Sequence, residues 1–175
     1  MSGFALFATP WWVNLLILIP ALPFLLSRKQ KIRMEKKRLL LAALFAVAFG
    51  FVEAAVVVYL RAATGLWPGP PVKALVTLPG ILLRIECFRE AATIIMLAGV
   101  ALLAGQSIKA RFVAFLWTFA VWDIFYYVWL RLTIGWPTSF LDPDLLFLIP
   151  APWVAQVWFP ILVSGLTTMV IWFCS

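Results

Sequence analysis

Histidine is absent from the 175 residues, and the two cysteines, Cys87 and Cys174, sit in neither a CxxC nor a CxxCH pattern. His-ligated haem, His-rich di-iron sites, covalent c-type haem and zinc fingers are thereby excluded. Charge is scarce as well: charged residues make up 12% of the chain against 65% hydrophobic ones, with a mean hydropathy of +1.06. Soluble domains average about a quarter charged residues, so the composition places the chain among membrane proteins, as one integral domain over residues 1–175. Five spans of roughly 21 residues leave only about 70 for loops, too few for a soluble catalytic or nucleic-acid-binding domain. The net charge is +7, yet seven of the 14 basic residues crowd the stretch RKQKIRMEKKR at 28–38. That concentration is a topology signal rather than a binding groove, and no nucleic-acid partner is expected.

The expected class is all-α, a polytopic transmembrane helical bundle of about five spans. Residues 4–26 carry Pro10, Pro20 and Pro23, so the first span (1–27) is expected to be kinked or half-inserted. No basic stretch precedes it and no small-x-small site follows it, which argues against a cleaved signal peptide. The basic loop 28–38 belongs in the cytoplasm by the positive-inside rule. Further spans are expected at 39–60, about 81–104, 112–130 and about 154–173, with the N-terminus outside and the C-terminus cytoplasmic, in a bacterial inner membrane. Cys87 and Cys174 then fall at opposite membrane faces, too far apart for a disulfide across a ~30 Å core. Along the second span Ala42, Ala46, Gly50 and Ala54 recur every four residues, a small-residue ridge that admits a close helix neighbour.

At an offset of 70, FVEAAVVVYLRAATGLWP (51–68) aligns with VWDIFYYVWLRLTIGWP (121–137), and further on, at an offset of 71, TLPGILLRIECF (77–88) lies over LIPAPWVAQVWF (148–159). Glu53 meets Asp123, Arg61 meets Arg131 and Pro79 meets Pro150. The pattern reads as a duplicated two-helix hairpin, repeat one over 39–105 and repeat two over 106–175, related by an axis along the membrane normal.

Four acids fall inside spans: Glu53, Glu86, Glu90 and Asp123. Ionised and unpaired at mid-bilayer each costs about 2.5–3.5 kcal/mol, so they must face the interior, pair or stay protonated. Counted from the flanking charges, all four share one layer in the outer half of the membrane, a layer expected to open outward. Arg89 reaches Glu86 at i, i+3, and Tyr126 and Tyr127 follow Asp123 at i+3 and i+4. Arg61, Arg84, Arg89 and Arg131 lie near enough to cancel the four acids in a neutral network. The same acids are able to bind a hard cation such as calcium, magnesium or manganese, or an all-carboxylate iron centre, or to transfer protons.

The outer loop RLTIGWPTSFLDPDLLFLIPAPW (131–153) holds an apolar stretch too short to span, LLFLI, between prolines. It suits a re-entrant or interfacial lid over the carboxylates, with Asp142 and Asp144 in a solvated turn. Most of the ten tryptophans, including Trp11, Trp12, Trp67, Trp136, Trp153 and Trp172, are expected in interfacial belts.

The segments FVEAAVVVYLR, IECFREAATIIML, WDIFYYVWLRLTIGWP and LLFLIPAPW resemble a family of bacterial multi-pass membrane proteins, from about residue 39 onward. That resemblance implies the membrane class and carries no activity with it. A fainter similarity is to the small membrane domains of heterodimeric lycopene cyclases, which pair a Trp-Asp, here Trp122-Asp123, with a later proline-centred motif. Those domains have a Pro-x-Glu-Glu-type sequence where this chain has LPGILL and LIPAPW, so the similarity is an analogy and brings no cyclase acids. Three functions fit: a small non-catalytic subunit of a larger respiratory or photosynthetic membrane complex, partnered by lipid and other subunits; a cation-binding or transport protein; and an enzyme using Glu86, Glu90 or Asp123 as general acid on a lipidic substrate, helped by Tyr126 or Tyr127. The first is the leading expectation, and no cofactor is assigned.

Overall fold

The computed structural model describes residues 8–29, 34–65 and 79–174. Lys31, Arg33, Trp67, Pro68 and Lys73, and the side chains of Arg28 and Lys29, lie outside the described residues. A 3₁₀ helix, Trp11–Leu18, leads into α1, Ala21–Lys29; α2 is Lys36–Ala63, α3 Gly80–Ala104 and α4 Ile108–Ile134. Two strands, β1 (Pro143–Phe147) and β2 (Trp153–Gln156), precede α5, Trp158–Cys174. Three helices, α2, α3 and α4, are long and apolar enough to cross a membrane, at 28, 25 and 27 residues. The protein is thus mainly helical with three candidate spans. Helix α5 has 17 residues, and the N-terminal segment is broken between Leu18 and Ala21. Pro20 supplies no N–H to continue the first helix, while Pro23 sits in the first turn of α1, where none is needed.

Helix α4 is the axis of the bundle and packs against α2, α3 and α5. The small-residue ridge of α2 makes the closest of these approaches: Ala42, Ala46 and Ala54 are buried, and a Cβ on Gly50 would lie 3.0 Å from the Trp122 carbonyl oxygen and 3.2 Å from the Tyr126 nitrogen. Backbones this close need small residues between them. Two indoles rivet the pair, Trp117 Nε1 donating to the Leu39 carbonyl at 2.8 Å and Trp129 Nε1 to the Val47 carbonyl at 2.9 Å. Bonds to backbone carbonyls satisfy the indole N–H groups where water is excluded. The tight joint between α3 and α4 needs Gly105, since a Cβ there would stand 2.4 Å from the Arg111 nitrogen. Ser107 then caps α4 by accepting from the Ala110 N–H at 3.2 Å.

The loop between α4 and α5 departs from an all-helical plan. β1 and β2 form an antiparallel hairpin that dips into the bundle, where Phe147 stacks on Phe119 and packs against Trp122 and Trp153. Phe119 is fifteen residues from the C-terminal end of α4, roughly 22 Å along the helix axis. Non-helical backbone at that depth must be satisfied by protein. Thr9 and Val154 exchange both backbone bonds at 2.8 Å, and carboxylates answer further hairpin N–H groups, as described below.

Some tryptophans also bind within the bundle rather than at its rim: Trp172 stacks on Trp117 at 6.1 Å and Trp153 meets Trp12 edge-on at 5.0 Å. Trp11 is 75% exposed. Over the second half of the alignment the two copies diverge, because 80–86 is helical and 151–157 is bend, strand and turn. Cys87 and Cys174 are free thiols.

A candidate carboxylate site roofed by a hairpin

Glu86, Glu90, Thr93, Leu97 and Ala101 form the buried stripe of α3, a spacing of three and four residues that sets both acids on the face turned to α2 and α4. From α2, Glu53 faces them. Arg89 joins the two helices, its Nη1 donating to Glu53 Oε1 in a short ion pair and its Nη2 lying 2.8 Å from Glu86 Oε2. Thr93 Oγ1 donates to Glu53 Oε2 at 3.4 Å. Glu90 plays another part. It accepts from the Leu148 N–H at 3.0 and 2.8 Å and from the Ile149 N–H at 3.3 Å, so this carboxylate anchors the hairpin tip.

Asp123 lies on α4, where Ser164 Oγ of α5 donates to its Oδ2 at 2.7 Å. The hairpin adds an acid that sequence reasoning placed in solvent. Asp144 is 1% exposed and accepts from the Tyr127 hydroxyl at 2.9 Å, while its Oδ1 has no partner among the described residues. The reason is strand alternation: on β1 the side chain of Asp144 turns inward, opposite in phase to exposed Pro143. Asp142 alone makes the polar turn, accepting from Thr138 and Ser139. Burial pushes the Asp144 carboxyl up to about 6, against the opposing pull of the Tyr127 bond, the Arg61 charge and the Leu145 N–H.

These groups line one cavity of about 90 Å³. Glu53, Glu86, Glu90, Asp123, Arg61, Arg89, Tyr126 and Tyr127 all meet there with Asp144. Arg84 and Arg131 do not. Arg84 is exposed on α3, because two residues from Glu86 is a turn of about 200°. Arg131 is exposed too, and donates to the Gly135 and Pro137 carbonyls, closing the end of its own helix. The neutral balance expected of four arginines and four acids is therefore replaced by five carboxylates and two guanidiniums among the described residues. Arg61 is buried, stands 5.4 Å over the Trp136 ring and makes no ion pair with any described residue. Its repeat counterpart is exposed Arg131, so the aligned arginines have different surroundings.

A second cavity, of about 160 Å³, lies beside the first and is lined almost wholly by apolar groups of the N-terminal segment, α4, the hairpin and α5. Asp123, Leu146 and Phe147 border both. Trp122 Nε1 and Trp153 Nε1 are buried without a partner among the described residues. No three acidic or cysteine side chains among the described residues converge closely enough to hold one metal ion. No known family, curated protein or solved structure matches the chain.

Proposed function

We propose that this is an integral membrane protein that binds a cation in its carboxylate cavity. The observation that carries the reading is the excess of three carboxylates over guanidiniums lining one cavity. Buried charge of one sign is expensive, so the surplus acids carry protons or meet a bound positive charge. The buried Oδ1 of Asp144, without a partner among the described residues, is an acceptor open to the second answer. The reading includes five membrane crossings in a duplicated arrangement, with the basic loop cytoplasmic and the hairpin on the outer side of a bacterial inner membrane. The exposed apolar residues of α3, among them Ile85, Phe88, Ile95 and Leu103, are what lipid contact requires and do not call for a protein partner.

The test is thermal unfolding of the detergent-purified full chain with sodium, calcium and methylammonium, in wild type and Asp123→Asn. Saturable stabilisation of the wild type by at least one cation, reduced in the variant, is expected. No stabilisation by any of them, together with purification as a stoichiometric larger complex, would replace this reading with that of a structural subunit. Turnover of a bound lipid that stops in Asp123→Asn would replace it with that of a general-acid enzyme.

A further inference from the structure

The cation reading leaves the chemical class of the cation open, and three features of the two cavities narrow it. First, a hard metal ion wants six or more oxygens, or at least several carboxylates, around one point, whereas these acids are spread around the cavity and no three of them converge among the described residues. Second, Asp144 has an oxygen with no partner on a side chain that is 1% exposed and lines the cavity. One unanswered acceptor calls for a donor. A protonated amine supplies N–H donors and charge together, and the Trp122 and Tyr126 rings, stacked at 6.5 Å in the same wall, attract a cation with their faces.

Third, the apolar cavity begins where the polar one ends. Asp123 borders both, held by Ser164 from α5, while Ala120, Val163 and Thr167 line the apolar side only. Two unrelated voids need not share a carboxylate. A single ligand with a charged end and a hydrocarbon end needs this junction, with its charge beside Asp123 and its carbon chain lying against α4 and α5.

Resting on the cation reading, we propose that the ligand is an amphiphilic organic amine: a protonated amino group between Asp123 and Asp144, and an alkyl or other apolar body in the adjoining cavity. The carboxylates set the sign of the charge and the second cavity selects against bare ammonium, metal ions and short polar amines. Anionic and neutral amphiphiles are rejected because they leave the surplus acids unmatched.

The experiment is calorimetric titration of the full chain in lipid nanodiscs with butylammonium, methylammonium and 1-butanol, all water-soluble. Each methylene taken from water into an apolar site is worth about a factor of four, so three added methylenes predict a gap of tenfold or more in favour of butylammonium over methylammonium. Ala120→Phe, which fills the apolar cavity, should close that gap without weakening methylammonium. Thr167→Leu is the milder filling variant should the first fail to fold. Asp123→Asn should weaken both amines at least tenfold. Equal affinity of the two amines in wild type, or a gap that persists in a folded filling variant, overturns the amphiphile proposal and leaves cation binding standing. No binding of either amine likewise overturns the amphiphile proposal, whereas butanol binding as tightly as butylammonium, or no effect of sodium, calcium or either amine, overturns the cation reading itself.

Discussion

Replacing Asp144 with asparagine should make the protein more stable at neutral pH while removing part of its ligand site. In the unfolded chain the carboxyl titrates near 3.8, and in the folded protein at about 6. The folded state therefore binds the proton more tightly, and stability falls as pH rises through the window from 3.8 to 6. The shift of roughly two pH units corresponds to about 3 kcal/mol of stability, fully present below pH 3.8 and lost above pH 6. Asparagine carries no charge to bury, and its carbonyl still accepts from the Tyr127 hydroxyl. Its amide group falls where Oδ1 has no partner, which returns about 1 kcal/mol of the gain. The net expectation is about 2 kcal/mol in favour of Asp144→Asn at pH 7. The assay is denaturant unfolding in detergent from pH 3.5 to 7.5, on both proteins and without amine. The wild-type-minus-variant difference isolates this carboxyl from the other acids. A difference that does not change with pH, or a variant less stable at pH 7 than at pH 4 relative to wild type, would refute the reasoning.

Three other substitutions probe the frame around the site. Arg89→Met strands Glu53 and Glu86 and should destabilise by about 3–5 kcal/mol, the range for breaking a buried ion pair, as read by the same unfolding assay; Arg89→Lys should lose less. Glu90→Ala leaves the buried Leu148 N–H and the neighbouring Ile149 N–H without an acceptor, at about 1–3 kcal/mol each. Hydrogen exchange at those two amides should accelerate well before exchange in α4 does. Gly50→Ala places a methyl group 3.0 Å from the Trp122 carbonyl, and the resulting push on α4 should cost about 1–3 kcal/mol and weaken amine binding through the displaced Asp123.

How far the sequence reached depends on what kind of pattern each element leaves. Long apolar runs bounded by charge mark α2, α3 and α4 to within a few residues, and the four-residue ridge through Gly50 marks the face on which α2 meets α4. The hairpin left no such mark. An apolar stretch of five residues between prolines fits a lid of any conformation, and only alternation, Asp144 in and Pro143 out, identifies a strand there. For that reason Asp144, adjacent to exposed-looking prolines, was expected in water and is among the most buried polar residues of the site. Arg84 is the opposite case. Its exclusion was legible from helical phase alone, two residues from Glu86, yet proximity in sequence grouped it with the acids. Arg131 was not legible, because it turns on whether the end of a helix takes up its own arginine.

Cation binding places a positively charged ligand against the cavity carboxylates. Its most direct test is a solid-state NMR recoupling measurement on the full chain in bilayers at pH 7, with ¹⁵N-butylammonium and ¹³C-labelled aspartate. The expected result is dephasing of the Asp123 and Asp144 side-chain carboxyl signals at ion-pair distance from the ligand nitrogen, lost when excess unlabelled butylammonium competes. Dephasing of half-buried Asp142 alone, or of no aspartate at saturating amine, would contradict it.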